Sequence, residues 1–468
     1  MLHPYHCDVA ILTLRVCRHC IRMYDGCTRG FRTQGLAVPA RAALMASSHR
    51  SAKYLDRIAD EELRRRLRSA PAVLIEGPRA CGKTTTARQI ASSEILLEEA
   101  MASVQLASPG SLALLEGATP RLIDEWHLVP AIWDMVRREC DRRGVPGQFV
   151  LTGSADPPAS VKQHSGVGRV ARVQMRPLAL LESGLSTGAV SLRALFDGTE
   201  CSAPAPPWDL GDVIDAICRG GWPLCHSMDT DDAQDFIGDY LHELARSEVS
   251  TVDGVRRDPA AVFRLLVSLA RNISTEAAMS TLSSDTGAER PIDPRTTASY
   301  LSALRRLFVV EDVPAWSPQL RSRSRLRGAP KRQLVDPSLA AAALDADPGR
   351  LLDDLETLGF LFESLCVRDL RVYCRMLRAE LSHYRDNTGL EVDTIIRRRN
   401  GEWMAAEIKL GGRAAVEAAA ASLTKLRDDR IDPTKVGAPR RLVVITATGF
   451  AYERTDGVAV VPITALGP

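Results

Sequence analysis

Gly77, Gly82, Lys83 and Thr84 stand in the order Gly-x-x-x-x-Gly-Lys-Thr, with Pro78, Arg79, Ala80 and Cys81 between them and Thr85 behind. Glycines so placed let a chain curl until successive N–H groups point inward, where they can donate to phosphate oxygens. The lysine of such a loop reaches β- and γ-phosphates, and the threonine hydroxyl is a hard oxygen ligand suited to Mg2+. The chemistry expected is binding of ATP or ADP with Mg2+. Farther along, Arg121-Leu122-Ile123-Asp124-Glu125 is a short apolar run ending in two carboxylates. Asp124 would bind Mg2+ through water, and Glu125, one residue further out, would polarise the water that attacks the γ-phosphate. An Asp-Glu pair alone often just ends a strand; after a phosphate loop it reads as the other half of an ATPase site.

The elements that must position these residues are a buried strand before the loop and a helix after it. Ala72-Val73-Leu74-Ile75 is apolar throughout, and residues 84–91 contain no helix breaker. Residues 148–154, Gln-Phe-Val-Leu-Thr-Gly-Ser, form a further buried strand ending in hydroxyls, and such a strand beside the phosphate strand would let Thr152 or Ser154 sense the γ-phosphate. Arg169 lies on the glycine-rich turn before another apolar strand, where it is either an arginine finger or a solvated loop side chain. The segments GPRACGKTT, LIDEWH, LTGS and GVGRVARVQMRPLALLESG, in this order and spacing, resemble the prokaryotic AAA-like P-loop ATPases that carry a nuclease-like C-terminal domain of unknown function. The resemblance covers nearly everything after Lys53. It implies a P-loop core with a parallel sheet and a Gly220-Gly221-Trp222-Pro223 segment packed under that core. It also implies ring assembly, in which a homo-oligomer would let Arg169 act on a neighbour's nucleotide.

A second constellation lies near the C-terminus. Glu363 sits on the apolar side of a helix, Asp393 on a strand reading Glu-Val-Asp-Thr-Ile-Ile, and Glu407 and Lys409 on a strand reading Trp-Met-Ala-Ala-Glu-Ile-Lys. Residues two apart on a strand share a face. Helix, strand, strand with Glu, Asp and Glu-x-Lys is the restriction-endonuclease-like pattern. Asp393 and Glu407 would ligate a metal, Lys409 would orient water, and Glu363 or Glu391 would add a carboxylate. The competing reading is the same fold kept as a binding module.

Between the two lies a helical stretch in which residues 294–304 look like the second helix of a helix-turn-helix, with residues 309–313 opening a wing. Beyond it Arg321, Arg323, Arg325, Arg327, Lys331 and Arg332 come with no acid among them. They suit DNA phosphate contact, though winged helices also serve protein contacts and basic runs are often only solvated.

The fold class expected is α/β: a P-loop NTPase core at residues 45–195, a linker at 196–212, a helical and winged-helix region at 213–335, and a restriction-endonuclease-like α/β domain at 336–468. Residues 1–44 hold Cys17-x-x-Cys20 with nearby histidines, which is either a small metal site or a stretch preceding a true start at Met45. With 468 residues, 45% hydrophobic and 25% charged, the chain has room for several cores. Its 60 basic and 58 acidic side chains nearly balance, so charge alone names no partner. Eleven cysteines without a repeating pattern fit reduced thiols and a cytoplasmic protein. No apolar run is long enough to cross a membrane.

Overall fold

The computed structural model describes residues 54–98, 112–155, 166–199, 201–204, 206–287, 290–317 and 328–468. Cys17, Cys20, Met45, Arg321, Arg323, Arg325 and Arg327 fall outside them. The apolar run before the loop becomes β1 (Ala72–Glu76). Its alternate side chains face opposite ways. Ala72 and Leu74 join a core with Ile132, Trp133 and Val136 of the helix Ala131–Arg143. Val73 and Ile75 join another with Leu63 and Leu67 of the helix Ile58–Leu67. A strand covered on both faces has to be apolar at every position, which is why its sequence runs without alternation.

β2 (Ser93–Leu96), β3 (Arg121–Asp124), β4 (Phe149–Gly153) and β5 (Val170–Gln174) complete the first sheet in the order β2-β3-β4-β1-β5. Every pairing is parallel. All five strands therefore end at one edge, and β4, between β1 and β3, brings Thr152 between the phosphate loop and Asp124. The helix after the loop, Lys83–Arg88, is shorter than the unbroken stretch to residue 91.

The second sheet has six strands in the order β11-β12-β10-β9-β8-β7. These are β7 (Ala379–Arg385), β8 (Glu391–Arg398), β9 (Trp403–Lys409), β10 (Leu442–Thr446), β11 (Tyr452–Glu453) and β12 (Val458–Pro462). One face, with Met404, Ala406 and Ile408, shares a core with the helix Leu355–Leu377. The other, with Trp403 and Ala405, packs on Val416, Ala419 and Leu423 of the helix Arg413–Lys425.

Main-chain pairing fastens the chain's end to the region behind the first sheet. β13 (Leu466–Gly467) lies parallel to β6 (Val190–Ser191), and Ser186 Oγ donates to the Leu466 carbonyl at 2.8 Å. The stretch read as a linker or exposed loop is anchored as well. Cys201 is buried, and Ala203 exchanges hydrogen bonds of 3.3 and 2.9 Å with Ala451. Its prolines disfavour a helix, but composition carries no trace of a partner so distant in sequence.

Gly221 shows how tightly the middle region is applied to the first. Leu178 N–H donates to its carbonyl, and a Cβ on Gly221 would lie 2.3 Å from the Leu178 oxygen. Because the obstacle is backbone, Gly221→Ala is expected to lose about 1–3 kcal/mol of stability, read as a lower midpoint in urea. The helix expected at 294–304 forms as Pro294–Arg306 with Asp293 capping it. The expected wing is reduced to two isolated bridges, Val310 to Leu334 and Val313 to Lys331. No helix among the described residues is long and apolar enough to cross a membrane.

Candidate nucleotide site and C-terminal ionic cluster

The phosphate loop leaves β1 under a close backbone approach. A Cβ on Gly77 would meet the Met175 carbonyl oxygen at 2.3 Å, so only glycine fits while β5 keeps its register. Pro78 and Cys81 are buried beneath the loop, Arg79 and Ala80 stand exposed at its tip, and Thr85 points outward while Thr86 packs inward. Lys83 is 5% exposed, and its ammonium donates to the carbonyls of Gly77 at 3.0 Å and Pro78 at 2.8 Å. Among the described residues no carboxylate lies within ion-pair distance of it.

Asp124 is the hub of the site. Its Oδ1 accepts from Thr84 Oγ1 at 2.7 Å and from Thr152 Oγ1 at 2.5 Å. Thr152 Oγ1 in turn accepts from the Glu125 N–H at 3.1 Å. Glu125 is in the left-handed region at φ 50, which swings its carboxylate off the line of β3. Ser154 Oγ donates to both its oxygens, at 3.0 and 3.2 Å, and His127 Nδ1 lies 3.2 Å away. Burial holds the His127 imidazole below its ordinary pKa, against the pull of Glu125. A hydroxyl and a carboxylate on one point are hard oxygen donors of the kind Mg2+ takes, so Thr84 and Asp124 fit that ion.

A cavity of about 560 Å3 opens over Arg79, Glu125, His127 and Ser154, walled on the far side by Phe236, Tyr240 and Leu244. The wall comes from the helix Thr230–Glu243 and the π turn after it, whose Glu248 pairs with Arg79 at 2.7 Å.

Arg169 does not reach this site within its own chain. Its carbonyl accepts from Ala72 N–H at the opening of β1, and its guanidinium pairs with Asp141 at 2.8 Å. Since β5 runs parallel to β1, a residue preceding β5 falls at the edge of the sheet away from the loop. The contacts that sequence reasoning missed come from before β1. Arg57 donates to the Cys81 carbonyl at 2.9 Å and the Arg176 carbonyl at 2.6 Å, and Tyr54 Oη lies 2.9 Å from Thr86 Oγ1. Nothing in the charged helix pattern singles these two out.

Where the helix Leu355–Leu377 packs on the second sheet, Glu363, Asp393, Glu407 and Lys409 do meet. Lys409 Nζ is 3.1 Å from Asp393 Oδ2 and 2.7 Å from Glu407 Oε2, and Lys331 joins Glu363 and Asp393. Burial, then the charge of Asp393, pushes the Glu363 and Glu407 carboxyls upward. Burial would do the same to Asp393, but Lys331 and Lys409 draw it below the usual carboxylate range. This corrects the reading of Lys331 and Arg332 as unopposed cations for DNA phosphates. Lys331 is enclosed by acids, and Arg332 pairs with Asp312 at 2.9 Å. Their partners lie too far off in sequence for a local charge count to see.

Comparison with known proteins falls into three successive matches. Residues 210–350 match a domain of unknown function (DUF8612), residues 358–466 another (DUF4143), and residues 69–183 an AAA domain. Uncharacterized proteins of Mycobacterium tuberculosis and Mycobacterium bovis are each 27% identical over 323 residues, or 67% of this chain. The aligned stretch spans 65% of the length of these curated relatives. Among solved structures, the Walker-type ATPase of Pyrococcus abyssi aligns with a TM-score of 0.37 at 12% identity, over 63% of this chain and 97% of that one. The loop, the acidic pair and the five-stranded parallel sheet all lie within residues 69–183, the stretch that matches the AAA domain.

Proposed function

We propose that the chain binds ATP with Mg2+ at residues 77–84 and hydrolyses it. The observation that carries this reading is the convergence of Thr84 and Thr152 on Asp124 Oδ1, with the Lys83 ammonium held inside the loop. Loop amides and Lys83 would hold the phosphates, while Thr84 and Asp124 would hold the metal. Mg2+ bound with the nucleotide neutralises charge on the β- and γ-oxygens. Glu125 would take the proton of the attacking water, and the Ser154 hydroxyl would keep its carboxylate oriented until then.

Glu125→Gln keeps the size and the acceptor for Ser154 but cannot take a proton. It is expected to bind ATP as the unaltered chain does and to release phosphate about 100-fold more slowly or worse, since a positioned base contributes about 10²–10⁴. Phosphate release alongside calorimetric ATP titration checks this; undiminished hydrolysis would remove Glu125 from the role.

Contiguous contacts support coupling of this site to the C-terminal module. Arg57 joins the loop carbonyl of Cys81 to that of Arg176, and the Arg176 side chain pairs with Glu311. Glu311 also lies 3.4 Å from Arg371 on the helix Leu355–Leu377. Burial would raise the Glu311 carboxyl, but Arg176 and Arg371 hold it down to about 2, so the link stays charged at neutral pH. A change in loop shape on nucleotide binding would therefore be felt at that helix.

A further inference from the structure

The residues that the sequence marks for metal-dependent cleavage come together, yet the place between their oxygens is taken. Lys331 Nζ lies 2.9 Å from Glu363 Oε1, 3.1 Å from Glu391 Oε1 and 3.2 Å from Asp393 Oδ1. The other oxygen of Asp393 is engaged by Lys409 Nζ at 3.1 Å and by the Ile408 N–H at 2.9 Å. A divalent ion needs several oxygens aimed at one centre from about 2.0–2.6 Å. An ammonium at hydrogen-bond distance from those same oxygens occupies the centre and repels a second cation. Among the described residues, no group of three or more His, Cys, Asp and Glu is arranged to hold a metal ion.

Lys331 is also not a loop side chain resting over an open site. Its own N–H and carbonyl are both bonded to Val313, at 3.0 and 2.9 Å. The segment after Val313 is fastened to β7, with Trp316 N–H donating to the His383 carbonyl at 2.6 Å and His383 N–H donating to the Pro314 carbonyl at 3.0 Å. The lysine side chain is 4% exposed. The cation is therefore built into the wall of the site through two main-chain connections.

We propose that Lys331 is a resident cation standing in place of a divalent metal in the C-terminal acidic site. The full chain then takes up no Mg2+ or Mn2+ there and cuts no nucleic acid through it. The site serves as an ionic joint between the Val313–Lys331 bridge, the helix Leu355–Leu377 and strands β8 and β9.

The test titrates the nucleotide-free full chain with Mn2+ and follows free Mn2+ by electron paramagnetic resonance. It compares the unaltered chain with Asp393→Asn, Lys331→Met and the double variant. Methionine keeps an unbranched apolar stem and removes the ammonium. The unaltered chain and Asp393→Asn should bind Mn2+ equally weakly. Lys331→Met should bind it about tenfold more tightly or better, and the double variant should fall back, since losing one ligand or its support commonly costs 10–100-fold. The proposal is overturned if the unaltered chain holds Mn2+ in a manner lost with Asp393→Asn but kept in Thr84→Ala. It is equally overturned if Lys331→Met is folded by circular dichroism and gains no affinity. Should that variant not fold, the first comparison decides alone: equal binding upholds the resident cation, and loss with Asp393→Asn rejects it.

Discussion

Lys83→Ala is expected to lower ATP turnover at least about 100-fold, the loss typical when one preorganised donor to developing charge is removed. The ammonium is buried and hydrogen-bonded to the carbonyls of Gly77 and Pro78, so it is aimed into the curl of the loop. Phosphate oxygens arriving there would turn a costly buried charge into a charge-assisted bond, worth about 1.5–3 kcal/mol. Removing it should therefore also weaken ATP binding by about tenfold or more by calorimetry. The fold should not suffer, because the lysine joins no ion pair among the described residues and its loss relieves a desolvated cation. The expected signature is unchanged melting without nucleotide, together with loss of the upward shift that MgATP gives the unaltered chain. Hydrolysis at the ordinary rate by the variant would mean that the loop of residues 77–84 is not where ATP is cleaved.

What could be read of this site beforehand was what the chain writes contiguously. Gly77 to Thr84 is one uninterrupted motif, and the apolar runs on either side dictate strand and helix. Thr152 is expected near the phosphate loop because, in the ATPases that the chain resembles, a strand ending in hydroxyls sits beside the phosphate strand; its bond to Asp124 comes from β3 on the other side of β4. The direction of those strands also fixes where Arg169 stands in its own chain: a residue that enters a parallel strand lies at the edge away from the loop, here with Asp141. Lys331 is the opposite case. It was counted with its basic neighbours because Glu363, Glu391 and Asp393 are 32 to 62 positions away. Arg57 has the same difficulty: its partners at Cys81 and Arg176 are supplied by other elements, and a lone arginine in a charged helix carries no sign of them.

Arg368→Met is expected to be the most destabilising single change outside the nucleotide site. Arg368 is 3% exposed and lies between two wholly buried carboxylates, donating to Asp336 at 2.9 Å and to Asp369 at 2.9 Å. Each acid holds a different part of the chain. Asp336 accepts from the Gly221 N–H at 3.0 Å and from Ser338, while Asp369 accepts from the Leu180 N–H at 2.9 Å. The group thus ties the segment after the first sheet, the middle region and the helix Leu355–Leu377 to one another. Removing the guanidinium between the two acids leaves buried charge without its counterion, a loss of about 3–5 kcal/mol. The exposed pair Arg88–Glu94, at 2.7 Å, should by contrast cost less than about 1 kcal/mol when Arg88 becomes methionine. Urea titration followed by circular dichroism, with the two variants side by side, separates the cases. If Arg368→Met unfolds no earlier than Arg88→Met, the buried group is not what joins the parts. If it is, the urea midpoint of Arg368→Met should fall well below that of Arg88→Met.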